Sequence, residues 1–258
     1  MRLLILVCLA AQLVVHGCLC IAARAAFQTF TSLSSFTAAT ASLVPSLVNF
    51  DSSGLPTPIL NGSSFQNITF SQSQNFLGSN LVLTDGTNTG TFVGPAQLPT
   101  TSGSMFLGNT VNGNLTAGRH NFTMQFNPPT QIAALGISVV VPGTGRGAGV
   151  VDPTGSEIRM SVNNGATFVQ LGAVQQTLRA GQADEAQVYF LGLYNDSGLL
   201  GDVLLSTPGA NLDAYQYRVD DLRLMAIPEP SSLAAVGLVG ALAAVRRARS
   251  KRKASTAQ

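Results

Sequence analysis

Short runs of hydrophobic residues alternate with clusters of Gly, Asn, Ser, Pro and Asp through the middle of this chain of 258 residues. The runs are rich in Val, Ile, Phe, Thr and Tyr, a composition typical of β-strands separated by turns. In residues 121–126, Phe122, Met124 and Phe126 alternate with polar residues, which predicts a strand with one buried and one solvated face. The pattern predicts an all-β domain, specifically an antiparallel β-sandwich.

The predicted strands number about a dozen, with turn signals between them. They fall at residues 47–51, 64–71, 80–84, 90–93, 104–107, 120–127, 131–141, 157–162, 167–171, 186–191, 201–206 and 214–225.

One short helix is predicted near the start of the domain. Leu33, Phe36 and Thr40 lie on one side at helical spacing, followed by Leu43 or Val44. Ser32 or Ser34 is the predicted N-cap, because a serine hydroxyl can accept a hydrogen bond from the first turn.

The last predicted strand contains an interruption in its alternation. In a regular strand Tyr217, Val219 and Asp221 would share one face, and Asp220 and Leu222 the other. The apolar face therefore changes at the acidic pair, which predicts a β-bulge that redirects one carboxylate.

A carboxylate turned inward is costly unless it is paired or bound to a metal ion. Calcium takes six to eight oxygen ligands, so we predict a calcium site formed by Asp220, Asp221 and, from an early strand, Asp51. In the alternative interpretation the pair ends the strand in water, beside Arg218 or Arg223.

The N-terminus has the features of a secretory signal peptide. Arg2 is followed by an apolar run over residues 3–15 and by an A-x-A site at residues 23–25. We predict that the Sec machinery exports the chain and that signal peptidase then cleaves it between Ala25 and Ala26. One alternative interpretation is a lipoprotein cleavage site at Cys18, but His16 fits such a site poorly. Another is a buried N-terminal helix, but the apolar run has no polar face that could meet solvent.

The C-terminus combines three features in order. Pro228-Glu229-Pro230 is followed by an apolar or glycine stretch over residues 233–245 and by a basic cluster over residues 246–253. Thirteen residues at ~1.5 Å each span only ~20 Å, short of the ~30 Å hydrocarbon core. We predict a transient hydrophobic membrane helix at residues 231–245 with its basic end in the cytoplasm; a soluble helix with a basic cap is the alternative.

This C-terminal arrangement resembles the PEP-CTERM sorting signal of secreted bacterial proteins. The resemblance implies recognition of Pro228, Glu229 and Pro230 by an exosortase, a membrane protease and transpeptidase, in a Gram-negative-type bacterium that makes extracellular polysaccharide. The expected organisation is a signal peptide helix at residues 1–25, a β-sandwich at residues 26–226 and a sorting tail at residues 227–258.

The body is also similar to the β-sandwich common in PEP-CTERM proteins, in Ser35-Phe36-Thr37, in residues 48–51 and in residues 217–222. Its closing Asp-Asp-Leu resembles the last strand of jelly-roll carbohydrate-binding modules. That likeness implies a jelly-roll-like sandwich and a structural calcium held by an acidic residue there and another near the first strand.

Charge and cysteine content narrow the function classes. Between residues 26 and 227 there are six arginines, no lysine and eleven acidic residues, so the formal charge is −5. This argues against a nucleic-acid partner, which needs a basic surface. The same region contains no cysteine, so it forms no disulfide.

No catalytic motif accompanies these features. The glycine-rich residues 143–149 precede a turn-like segment rather than a helix, so they predict a loop and not a nucleotide site. His120 is the only histidine after residue 25, and there is no G-x-S-x-G elbow. A glycoside hydrolase would need two apposed carboxylates, and the sequence does not place Glu157, Asp184 or Glu185 opposite one another.

Aromatic residues offer one candidate ligand contact. The alternation places Tyr215 and Tyr217 at least partly in the core, whereas Tyr194, beside Asn195-Asp196, is the better surface candidate. The sequence therefore predicts a non-enzymatic, exported protein, at the cell surface or outside the cell, with a structural or adhesive role in exopolysaccharide. The alternatives are a carbohydrate-binding module with a structural calcium and, less favoured, a hydrolase.

Overall fold

The structure, a computed structural model, describes residues 27–48, 50–53, 57–72, 81–84, 100–109, 115–116, 121–127, 131–142, 158–162, 165–182, 185–206 and 216–228. These residues form sixteen strands, one α-helix and one 3₁₀ turn. The predicted signal peptide, the predicted cleavage residues Ala25 and Ala26, and the predicted sorting tail from Glu229 onwards lie outside the described residues. Among the described residues, no helix has the length and hydrophobicity that a membrane span requires.

The first half of the chain contributes one helix, one 3₁₀ turn and nine short strands. They are β1 (Phe27–Phe30), α1 (Leu33–Ala39), β2 (Val44–Val48), the 3₁₀ turn (Phe50–Ser53), β3 (Thr57–Ile59), β4 (Ser63–Phe65), β5 (Ile68–Gln72), β6 (Leu81–Thr84), β7 (Phe106–Asn109), β8 (Leu115–Thr116) and β9 (Phe122–Phe126).

The second half contributes the three longest strands. Its elements are β10 (Ile132–Pro142), β11 (Arg159–Val162), β12 (Thr167–Gln170), β13 (Gln176–Leu178), β14 (Ala186–Asn195), β15 (Val203–Ser206) and β16 (Gln216–Ala226).

The strands form two antiparallel sheets, as the sequence predicts. The large sheet has the order β1-β14-β10-β16-β7-β6-β3, with β13 paired to β14 and with β2 and β8 paired to β16. The small sheet has the order β12-β11-β15-β9-β5-β4. The described part of the chain is therefore all-β with one short helix.

The inward faces of the two sheets share one hydrophobic core. The small sheet supplies Phe70, Phe122 and Met160, and the large sheet supplies Ile137 and Leu191, all fully buried. Residue alternation explains this arrangement, because every second side chain of a strand points to the same face. The alternation predicted for β9 is confirmed at its first positions, since Phe122 and Met124 are buried, whereas Phe126 is only half-buried.

The helix predicted from residues 33–40 is confirmed as α1. Ser32 occupies the N-cap position, but its hydroxyl contacts the Ser34 hydroxyl at 2.8 Å rather than the backbone of the first turn. Phe36 is the buried residue of the helix, and the Thr40 hydroxyl donates to the Phe36 carbonyl at 2.8 Å. Val44 is not part of this face: it begins β2 and is 51% exposed.

Phe36 packs over a pair of glycines on the outer face of the large sheet. Gly136 of β10 and Gly192 of β14 lie opposite each other in the strand pairing. A Cβ at Gly192 would lie 2.8 Å from Phe36 Cδ2 and 2.9 Å from Phe190 Cε1, and one at Gly136 would lie 2.6 Å from Phe190 Cζ. The two glycines leave the space in which the Phe36 and Phe190 rings meet, with centroids 5.3 Å apart.

Three of the strand predictions are wrong in detail. Residues 64–71 are not one strand but part of a hairpin, because Gln66 and Asn67 both adopt positive φ (46° and 65°), as a type I′ turn requires. Residues 47–51 are not one strand either: β2 ends at Val48, and Asp51 lies in the 3₁₀ turn. The strand predicted to end at residue 191 continues to Asn195, because its last residues pair with both β1 and β10.

Several short strands have no counterpart in the prediction. They are β1, β3, β8 and β13, of two to four residues each. β1 and β3 stand at the two ends of the strand order of the large sheet, whereas β13 pairs with β14 and β8 with β16. Runs this short carry too little alternation to be recognised in a sequence.

Candidate functional site

The candidate site begins at a β-bulge in β16. Ser138 of β10 pairs with Asp220, whereas Gly136 pairs with Arg223, so β16 contains one extra residue between these pairs. Val219 and Leu222 consequently both enter the core. Asp221 takes a positive φ of 50°, a conformation that Asp tolerates better than most residues. The bulge predicted from the change of apolar face is confirmed.

The bulge coincides with a change of neighbouring strand. On the edge away from β10, Val219 of β16 pairs with β7, and the pairing with β2 begins at Leu222. Asp220 and Asp221 lie at the gap between these two neighbours. Their carboxylates are therefore met by residues 100–105, which precede β7 and which we call the 100–105 segment.

Asp220 is almost fully buried, at 2% exposed, and most of its hydrogen bonds come from this segment. Its Oδ2 accepts from the Thr101 N–H at 2.7 Å, from the Thr101 hydroxyl at 2.7 Å and from the Ser102 N–H at 3.4 Å. Its Oδ1 accepts from the Asp221 N–H at 2.9 Å. The buried carboxylate thereby receives the donors that burial of a charge demands.

Asp221 binds the same segment and also Arg223. The Ser102 hydroxyl donates to Asp221 Oδ1 at 2.6 Å. Arg223 donates to the Asp221 carbonyl at 3.3 Å, and its Nη2 lies 3.7 Å from Asp221 Oδ2. The alternative expectation of an arginine beside the acidic pair is thus met by Arg223, although the pair lies within β16 and not at its end.

Asp51 reaches the 100–105 segment from the other side. Its Oδ1 accepts hydrogen bonds from the Ser104 and Met105 N–H groups, both at 2.7 Å. Gly103 has a φ of +55°, and a Cβ there would overlap the Asp51 carboxylate. Asp51 was expected on an early strand, but it is the 3₁₀ turn that presents it.

All three carboxylates predicted to bind calcium therefore contact one short segment. Its N–H and O–H groups hold oxygens that a cation would otherwise use. Within the ranges that the structure describes, no group of three or more His, Cys, Asp or Glu side chains is placed to hold a metal ion. The calcium site remains a prediction, and a bound ion would have to displace some of these donors.

The Thr101 hydroxyl contacts both members of the acidic pair. It lies 2.7 Å from Asp220 Oδ2 and 2.9 Å from Asp221 Oδ2, but a hydroxyl has only one proton to donate. A proton on one carboxyl group would supply the second hydrogen bond. Burial raises the pKa of the Asp220 carboxyl, and the charge of Asp221 raises it further, while hydrogen bonds from Thr101 and Ser102 act in the opposite direction.

A cleft opens beside the bulge on the outer face of the large sheet. Its volume is about 830 Å³, and its lining reaches from α1 to Asp221 of the bulge; we call it the helix–bulge cleft. Its lining residues come from α1, the 100–105 segment, β10, β14, β16 and the residues at the start of β13: Leu33, Ser34, Thr37, Ala38, Thr101, Ser138, Gln175, Gln176, Val188, Tyr189, Phe190, Asp221 and Arg223.

Sequence reasoning missed most of this lining. Ser138, Gln175 and Gln176 carry no local motif, and they meet only because β10, β13 and β14 pair side by side. Arg223 was noted as a neighbour of the acidic pair, and its outward direction follows from the bulge once Leu222 is placed in the core.

Tyr194, the predicted ligand contact, lies elsewhere on this face. It is the penultimate residue of β14, is half-buried and packs against the cluster formed by Phe36, Ala134, Phe190 and Met225. It is not among the residues that line the helix–bulge cleft. Its role as a ligand contact remains a prediction.

Of the other residues named in the sequence analysis, the structure describes some and not others. Tyr217 is fully buried, as the alternation indicates, and burial raises its pKa. Glu185 accepts a hydrogen bond from the Gly181 N–H at 2.6 Å. Pro228 is the last described residue, whereas Tyr215, His120, Glu157, Asp184 and the glycine-rich loop at 143–149 lie outside the described residues.

Comparison of the chain with known protein families, with curated proteins and with solved structures gave no match.

Proposed function

We propose that the protein is an exported, non-enzymatic β-sandwich that an exosortase sorts through its C-terminal tail. The mature domain would act at the cell surface or in the extracellular matrix, as a structural or adhesive component associated with exopolysaccharide. The observation that carries this proposal is the order of three features in the tail: Pro228-Glu229-Pro230, the apolar stretch at 233–245 and the basic cluster at 246–253.

The end of the folded body supports this proposal. β16 ends at Ala226, and the Ile227 N–H donates to the Gln131 carbonyl at 2.9 Å. Pro228 follows directly, so the sorting motif begins immediately after the last backbone hydrogen bond described for the domain. A membrane protease could reach a motif in this position without unfolding the sandwich.

The finer features of the fold belong to the same proposal. We propose that the sandwich is jelly-roll-like, that residues 1–25 form a helical signal peptide cut between Ala25 and Ala26, and that residues 231–245 form a short hydrophobic helix. This helix would hold the precursor in the membrane until the exosortase cuts near the motif.

The second candidate is a carbohydrate-binding module with a structural calcium. One observation favours it: the carboxylates of Asp51, Asp220 and Asp221 converge on the 100–105 segment. Calcium ligands of this type would join the first and last parts of the domain. Thermal melting with added calcium and with a chelator tests this candidate. An unchanged melting midpoint would refute the calcium site.

The sorting proposal is tested by Glu229→Ala in the full chain, expressed in a bacterium that contains an exosortase. We expect the variant to accumulate as unprocessed precursor in the membrane fraction, while the wild type is released or displayed. Glu185→Ala is the matched control, since it removes a glutamate from the body and not from the motif. Mass spectrometry of both mature termini locates the cuts; equal processing of the wild type and Glu229→Ala would refute the proposal.

A further inference from the structure

The helix–bulge cleft has an apolar floor and a polar rim. Leu33, Val188 and Phe190 form apolar parts of its lining. Hydroxyl, amide and charged side chains from Thr37, Ser138, Gln176 and Arg223 surround them. A volume of about 830 Å³ lies within the range of small-ligand sites, which combine an apolar lining with a few placed polar groups.

The rim of the cleft carries no net charge. Asp221 and Arg223 are its charged residues, and they lie against each other at 3.7 Å. A phosphate or a carboxylate ligand would meet Asp221, and a cation would meet Arg223. The charge pattern therefore favours a neutral ligand that both donates and accepts hydrogen bonds.

Several polar groups of the rim retain unused hydrogen-bonding capacity. Ser138 is 6% exposed, and its hydroxyl has no hydrogen-bond partner within the described residues although it lines the cleft. The Gln176 amide likewise has no partner there. Arg223 carries five N–H donors, and its contacts in this part of the structure are all to Asp221, so donors remain for a ligand.

The charged pair is also held in place before any ligand arrives. Ser102 donates to Asp221 at 2.6 Å, and Asp221 in turn holds Arg223. The Arg223 side chain is 26% exposed and that of Asp221 12%, so both remain accessible from the cleft. Side chains fixed in advance lose less entropy when they bind.

We infer that the helix–bulge cleft binds a neutral saccharide. The C–H face of a sugar ring would lie on the floor formed by Val188 and Phe190, while Ser138 and Arg223 donate to its hydroxyl oxygens and Asp221 accepts from its hydroxyl groups. The inference rests on the proposed extracellular function, because export would bring the cleft into contact with polysaccharide.

The test uses the full chain purified in detergent, so that binding does not depend on export or processing. Calorimetric titration with neutral hexasaccharides of glucose, mannose and xylose is compared with titration by an acidic hexasaccharide of galacturonic acid. We expect at least one neutral hexasaccharide to bind and the acidic one to bind at least 10-fold more weakly.

Two tryptophan substitutions on α1 locate the site. Thr37 is exposed and lines the cleft, whereas Ser35 is also exposed on the same helix but does not line it. Thr37→Trp should fill the opening and lower the affinity at least 10-fold, while Ser35→Trp leaves it unchanged. Arg223→Met should lower the affinity similarly, with thermal melting to show that each variant is folded.

Three results would overturn the inference: absence of binding by every neutral hexasaccharide, a preference for the acidic one, or equal binding by Thr37→Trp and Ser35→Trp. Each leaves the sorting proposal intact, because processing at Glu229 is measured separately. Conversely, a chain that binds the sugar but is not processed would refute the sorting and not the site.

Discussion

The two outer faces of the sandwich differ although their inner faces are alike. On the large sheet α1 covers the outer face, where the Phe36 ring packs against Phe30 and Phe190 with centroids 5.7 and 5.3 Å away. On the small sheet the outer side chains of β5 and β9 are polar and half-buried, such as Thr69 and Thr123. One face is a second packing surface, and the other is a solvated sheet.

This difference follows from the strands themselves. β10 has apolar side chains on both faces: Ile137 and Val139 enter the central core, while Ala134 packs beneath α1. β9 alternates strictly at Phe122, Thr123 and Met124. A strand covered on both faces reads as a nearly continuous apolar run, whereas a strand at the surface alternates.

The comparison also shows where a cleft can form. The outer face of the large sheet carries the glycine pair beneath Phe36 and the bulge at Asp221, which together leave a concave surface beside α1. The polar side chains of the small sheet instead bond to one another, as in the 2.8 Å hydrogen bond from Gln125 to Asp202. The face that is packed most closely is thus also the one with a candidate ligand site.

The largest expected effect on stability comes from removing the contact between α1 and the large sheet. Phe36→Ala removes a fully buried ring from the outer face of the large sheet, and we expect the free energy of unfolding to fall by about 3–5 kcal/mol. Chemical denaturation measures the change. Phe168→Ala is the matched control on the small sheet, where the ring is 44% exposed and contacts the Arg159 guanidinium at 4.8 Å.

We expect Phe168→Ala to cost less than about 1 kcal/mol, because an exposed cation–π contact contributes little. Equal losses for the Phe36 and Phe168 variants would contradict the distinction between a packed and an open face.

A smaller effect is expected from the glycine pair. Gly192→Ala places a methyl group 2.8 Å from the Phe36 ring, and overpacking of this kind costs about 1–3 kcal/mol. Gly201→Ala, just before β15 of the small sheet, is the control, since no atom lies within 4 Å of its added Cβ. Thermal unfolding should show a lower midpoint for Gly192→Ala and an unchanged or slightly higher one for Gly201→Ala. An unchanged unfolding midpoint for Gly192→Ala would show that α1 moves away from the added methyl group without loss of stability.

The smallest effect concerns the pH dependence of stability at the bulge. Because burial raises the pKa of Asp220, the folded protein binds this proton more tightly than the unfolded chain does. The free energy of unfolding should therefore fall as the pH rises from the unfolded value of about 3.9 to the higher folded value, and this contribution is constant above it. Denaturation of both proteins across this range measures the effect: the stability of the wild type should decline relative to that of Asp220→Asn.

Asp221→Asn provides a matched variant for the same measurement. Asn tolerates the positive φ at this position, and it removes the charge that raises the pKa of Asp220. The window of decline should therefore end at a lower pH than in the wild type. If the Asp220→Asn and wild-type stability curves ran parallel, Asp220 would not be the titrating group.

Features that depend on near neighbours in the chain were predictable from the sequence. The spacing of Leu33, Phe36 and Thr40 indicated α1, and the change of apolar face between Val219 and Leu222 indicated the bulge. The turn at Gln66 and Asn67 was missed because neither residue is the glycine that usually marks a type I′ turn. Asp51 was placed in a strand because Leu47, Val48 and Phe50 precede it, whereas it lies in a 3₁₀ turn and its carboxylate accepts hydrogen bonds from the 100–105 segment.

Residue order alone was sufficient for the alternation of the strands, the short helix and the position of the bulge, because each depends on periods of two to four residues. Which donors meet the acidic pair was decided by the pairing of the strands: Thr101 and Asp220 are 119 positions apart and are joined by a 2.7 Å hydrogen bond. The cleft likewise exists only because α1, β10, β14 and β16 meet on one face. Local spacing carries no information about such distant partners, so the candidate ligand site could be seen only in the folded chain.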